Sequence, residues 1–152
     1  MSMKTIRDEN CRNELIARIE KLTGEEKAAW GKMSLEQMLS HLVQSGQMPF
    51  EAMMPDHSNV LSRSLLKPLV LYVLPIPKDV KVGPELDQQQ NGRKPLGIGL
   101  DKAAAIESIN RLGTLPDKHD CLAHPFFGKM SAKEWAVMAY KHVDHHLRQF
   151  GA

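Results

Sequence analysis

Cysteine is scarce in this chain, charge is nearly balanced, and no long apolar run occurs along it. The two cysteines, Cys11 and Cys121, lie far apart and outside any Cys-x-x-Cys pair or catalytic signature. That argues against a disulfide framework or a nucleophilic thiol and predicts two buried small hydrophobes. The most apolar stretch, Leu65 to Ile76, is broken by Lys67, Pro68 and Pro75 and is far shorter than the ~20 residues a membrane span needs. No membrane association is expected. The opening residues MSMKTIRDEN are polar and charged and lack the apolar centre of a secretory signal, so the expected location is the cytoplasm. A net charge of +2, with Lys and Arg scattered, leaves no basic stripe to follow a phosphate backbone, and nucleic acid is not an expected partner. Nor does any segment alternate apolar and polar residues, which removes the main signal for a sheet.

What is present is an ordinary globular composition, 42% hydrophobic and 25% charged over 152 residues, which predicts one folded domain spanning 1–152. Helix signals punctuate it. Thr5-Ile6-Arg7-Asp8 sets a hydroxyl three residues before a carboxylate and predicts a helix from near Thr5 to near Leu22, with Leu15, Ile16, Ile19 and Leu22 inward. Ser34-Leu35-Glu36-Gln37 is a capping box for a second helix running to about Met48. Val60 to Tyr72 predicts a helix interrupted near Pro68. From Pro75 to Gly99, prolines, glycines and the run Gln88-Gln89-Gln90-Asn91 predict one long connection that covers one end of the bundle. Asp101 is the expected N-cap of a short helix lined by Ile106, Ile109 and Leu112 and stopped by Gly113 and Pro116. Ser131-Ala132-Lys133-Glu134 opens the last helix, which runs to about Phe150. The expected fold is all-α with four main helices.

Gly31-Lys32-Met33-Ser34 recurs as Gly128-Lys129-Met130-Ser131, each time after an aromatic residue and each time at a helix start. His41 falls seven residues past its cap and His142 eleven past its own, a difference of about one turn, so the two leave equivalent faces. On the last helix Trp135, Met138, Ala139, His142, His146 and Gln149 share one stripe by their spacing of three and four. His142 and His146, at i and i+4, can converge on one point as metal ligands do. His145 lies near the edge of that stripe, away from His146. Buried histidines must stay neutral and find partners, and a metal ion satisfies several imidazoles together. Gln37, Gln44, Ser45 and Met48 flank His41 with a semi-polar edge that can face a water-filled cavity where the bundle opens. Glu36, Glu134 and Asp144 are the nearby carboxylates that could serve as a general base, while His57 and His124 lie in loops from which either could reach the site, with the surface as their expected place.

The segment His142-Val143-Asp144-His145-His146-Leu147-Arg148-Gln149 resembles the C-terminal helix motif of the DinB/YfiT-like superfamily. Trp30-Gly31-Lys32-Met33-Ser34, Gln37 to His41, His124-Pro125-Phe126-Phe127-Gly128 and Gln149-Phe150-Gly151 resemble one uncharacterised branch of it. The resemblance implies a four-helix bundle in which His41, His142 and His146 bind a divalent ion, zinc or nickel, with His145 the residue that competes with His146 for the third place. It also implies a low-molecular-weight thiol as a co-substrate in several members. The expected function is a metal-dependent enzyme, a transferase or hydrolase, that activates a thiol or water toward a small electrophilic substrate. The rival expectation is a non-catalytic bundle that binds a small ligand or a second copy of itself, its histidines structural.

Overall fold

A computed structural model describes residues 3–51 and 54–152, and the fold is all-α. Its helices are α1 (Glu9–Lys21), α2 (Leu35–Gln47), α3 (Lys67–Tyr72), α4 (Ile98–Gly113) and α5 (Ala132–Gln149), with no strand among the described residues. Helices α1, α2, α4 and α5 pack on one another around a single core, and α3 lies against α5. Leu15 and Ile19 of α1, Met38 and Leu39 of α2, Leu112 of α4 and Leu147 of α5 are almost wholly buried there, each stabilising the fold by ~1.5–3 kcal/mol of transfer free energy. Cys121 is buried and Cys11 packs against the core, both as free thiols. No helix among the described residues is long and apolar enough to cross a membrane.

The helix starts follow their capping chemistry. Ser34 accepts from the Gln37 amide while Gln37 Oε1 accepts from Ser34 N, and Ser131 and Glu134 repeat the arrangement on α5. The Gly-Lys-Met-Ser echo is therefore a repeated helix start, with Gly31 (φ +78°) and Gly128 (φ +67°) both left-handed. Three expectations shift. Helix α1 is capped by Asp8, whose carboxylate accepts from Cys11 N at 2.9 Å, and Thr5 turns the chain just before it. Helix α4 starts one turn earlier than Asp101, after Gly97. Asp101 is fully buried in the first turn, accepting from Leu96 N at 2.9 Å and Arg93 Nη1 at 2.8 Å, because a buried carboxylate needs a cation and donors more than a helix end needs a cap. The inner stripe of α4 is accordingly Asp101, Ala105, Ile109 and Leu112, with Ile106 at its edge.

Ahead of α3 the chain makes a five-residue π turn over Ser62–Leu66, with the Lys67 amide reaching Ser62 O. The wider turn lies just before Pro68, whose ring and missing N–H disturb a regular helix there. The Lys141 ammonium of α5 donates to the carbonyls of Val70, Leu71 and Leu74, closing the C-terminal end of α3. Between α3 and α4 the chain forms no regular element until Ile98. It is nonetheless fastened to the polar edge of α2: Gln44 Nε2 donates to Glu85 O at 2.7 Å, Arg93 N donates to Gln44 Oε1 at 3.0 Å, and Ser40 Oγ donates to Arg93 O at 2.6 Å. Of the edge expected to face a cavity, Gln37 and Gln44 thus hold a loop while Ser45 and Met48 do line a cavity, and α2 is buried on nearly every side.

Candidate metal centre

His41 leaves α2 and His142 and His146 leave α5 toward one point, and one ring nitrogen from each lies within 4.8 Å of the other two. His41 Nε2 is 3.0 Å from His142 Nε2, and His142 Nε2 is 3.1 Å from His146 Nε2. The outer nitrogens show where the protons are. His146 Nδ1 lies 2.8 Å from Gln149 Oε1, while the Gln149 amide donates to Trp30 O at 2.7 Å, so the carbonyl end of Gln149 faces the ring and accepts its proton. Ser45 Oγ donates to His41 O at 2.7 Å and is left to accept from His142 Nδ1 at 3.3 Å. His41 Nδ1 is buried with no hydrogen-bond partner among the described residues. His142 and His146 therefore present the lone pair of Nε2 to the point that His41 Nε2 also faces.

Burial keeps all three neutral. It lowers the pKa of His41 to about 4 and of His146 to about 3, and with the neighbouring imidazoles holds His142 well below the usual range. Converging lone pairs repel one another, and a cation at their centre removes the conflict. The spacing suits one: tetrahedral ligands on bonds of ~2.0–2.1 Å stand ~3.3 Å apart. His145 stands outside this group. Its ring meets Trp30 edge-on at 5.6 Å and His146 at 5.1 Å, and it is as buried as His146 rather than at the border of the stripe.

The cluster forms part of the wall of a cavity of about 850 Å³. Residues of segment 76–90 supply one wall; Trp30, Leu66, Phe126, Trp135 and Met138 supply others. None of the carboxylates considered as a base lies there. Glu36 is exposed, Glu134 is held in its capping box and by Lys67, and Asp144 pairs with Arg18 at 2.7 Å and Arg148 at 2.8 Å. The acids that do line the cavity are Asp79 and Asp87. His57 is at the surface, near Glu85 and stacked on Phe126. His124, expected at the surface, instead lines the cavity, with burial lowering its pKa to about 4. The signal for it was the aromatic turn that follows, Pro125-Phe126-Phe127-Gly128, whose two phenylalanines must find cover and draw the histidine inward with them.

Residues 6–152 match the family described as "Protein of unknown function (DUF1569)", and the chain belongs to it. No curated protein and no solved structure matches the chain.

Proposed function

We propose that this chain is a DinB/YfiT-like four-helix bundle, built of α1, α2, α4 and α5, in which His41, His142 and His146 hold one divalent ion through Nε2 for metal-dependent catalysis. The observation that carries the reading is the placement of the rings: Gln149 and Ser45 favour a proton on Nδ1 of His146 and His142 and turn their Nε2 lone pairs toward the point that His41 Nε2 also faces. Three neutral ligands leave the ion its full charge and an open coordination position, which suits catalytic rather than closed structural sites. Zinc and nickel both accept imidazole. Bound there, the ion would acidify a small thiol or a water molecule and present it to an electrophile in the cavity. The chain's own residues set the ligand geometry and enclose the space in which a small substrate meets the activated nucleophile.

The test is the metal content of protein expressed without a histidine tag in metal-replete medium, followed by chelator competition. The expected result is close to one zinc or nickel ion per chain, lost on replacing any of the three histidines by Ala. Protein that emerges metal-free and fails to take up added zinc or nickel would leave the histidines as structural groups and overturn the reading.

A further inference from the structure

His124 carries a polar group that nothing among the described residues uses. It sits on a short turn closed by paired hydrogen bonds with Gly128, His124 N to Gly128 O at 2.8 Å and Gly128 N to His124 O at 2.9 Å. Its Nδ1 accepts from the amides of Phe126 at 3.1 Å and Phe127 at 3.3 Å, so Nδ1 bears no proton. The neutral ring therefore carries its hydrogen on Nε2. The ring is fixed by stacking on Phe127, centroids 4.8 Å apart, and against Trp135 at 5.3 Å. Nε2 has no partner among the described residues, yet it is not among the sealed, unsatisfied atoms; the ring belongs to the wall of the cavity that contains the three-imidazole cluster. A rigid, uncharged N–H donor is thus held ready at the edge of an apolar space.

The rest of that space says what it receives. Trp30, Val70, Phe126, Phe127, Trp135 and Met138 line it, and an apolar wall with a few fixed polar groups selects a ligand of the same pattern. We infer that the cavity binds a small molecule with an aromatic-sized apolar body and a carbonyl-type oxygen, and that His124 Nε2–H donates a hydrogen bond to that oxygen. The inference deepens the proposed reading by naming the substrate class of the same cavity. In a reaction at the metal the bond would strengthen as charge gathers on the oxygen.

Prodan, a naphthalene bearing a ketone, and its propyl analogue, in which a methylene replaces the carbonyl, make a direct probe pair. Both are titrated by fluorescence into wild-type protein and into His124→Asn and His124→Gln, each zinc-loaded and chelator-stripped. Asn keeps an acceptor for the turn amides but has no group at the Nε2 position, whereas Gln restores an N–H there. The expected result is saturable binding of both probes, with prodan weakened about fivefold by His124→Asn, recovered by His124→Gln, and the propyl analogue changed less than about twofold. Prodan bound to wild-type protein should also show a hydrogen-bonded carbonyl stretch, a measurement that stands even if a variant fails to fold. Equal losses for both probes, a free carbonyl stretch, or no saturable binding to wild-type protein would overturn the inference. A His124 effect that persists in stripped protein separates this result from the metal reading, since either can fail alone.

Discussion

Replacing Gln149 by Leu removes the group that places the proton on His146, and the structure gives the size of the effect. Gln149 is almost wholly buried and makes two bonds, accepting from His146 Nδ1 at 2.8 Å and donating to Trp30 O at 2.7 Å. Leucine fills the volume but neither accepts nor donates. Without the acceptor the ring is free to carry its proton on Nε2, which withdraws one lone pair from the cluster. Loss of such a ligand-orienting bond costs ~10–100-fold in metal affinity. The orphaned Trp30 carbonyl and His146 N–H should also destabilise the metal-free protein by about 2 kcal/mol. Gln149→Glu separates the two effects, because a carboxylate still accepts from His146 Nδ1 but cannot donate to Trp30 O. Zinc affinity from competitive chelator titration and stability from urea unfolding are measured on both variants. The Leu variant should lose both affinity and stability; the Glu variant should lose stability and keep zinc affinity within about tenfold. A Leu variant that is less stable but binds zinc as tightly as wild type refutes the proton-placement argument, since Gln149 would then be packing alone.

In the same titration His41→Ala, His142→Ala and His146→Ala should each abolish most zinc binding, whereas His145→Ala, outside the cluster, should stay within about tenfold; the reverse order for His145 and His146 would move the third ligand to His145. Gly31→Ala should mimic Gln149→Leu in a milder form, because a Cβ at that left-handed position would lie 2.7 Å from Gln149 Nε2; unchanged zinc affinity and urea midpoint would show that the corner yields freely. Trp135→Ala should cost ~3–5 kcal/mol, the range for deleting a buried large aromatic, and a loss under ~1 kcal/mol in urea unfolding would place its indole outside the core. The metal-free protein should also weaken in acid. His124 titrates at about 4 when folded against ~6.5 when unfolded, so the unfolded chain takes up the proton first. Its contribution is complete above the unfolded value and lost as pH falls toward the folded one, a drop of about 2 kcal/mol between pH 7 and pH 5. His124→Asn should show a correspondingly shallower fall, and an equally steep one would mean that the ring is not buried neutral.

Local chemistry made much of the fold legible. A capping box needs only residues three apart, so Ser34 with Gln37 and Ser131 with Glu134 announced α2 and α5 within a residue of their starts. Helical spacing likewise put Trp135, His142, His146 and Gln149 on one side of α5, and the structure brings the last three together, His142 Nε2 3.1 Å from His146 Nε2 and His146 Nδ1 2.8 Å from Gln149 Oε1. Contacts between distant segments were not legible, because their partners share no spacing. Asp101 looked like a cap until Arg93 and the Leu96 amide gave its carboxylate a buried place. The polar edge of α2 looked solvated until the chain from Glu85 to Arg93 docked on it. His124 looked like a surface residue until Phe127 and Trp135 enclosed it. The proton positions belong to tertiary structure above all, since a histidine's tautomer is set by whichever acceptor lies beyond its outer nitrogen. The amino-acid order by itself determined the all-α fold, the helix starts and the alignment of His142 with His146. Only the packing of α2 on α5, with Ser45 and Gln149 in place behind the His142 and His146 rings, decided that three Nε2 atoms face one point.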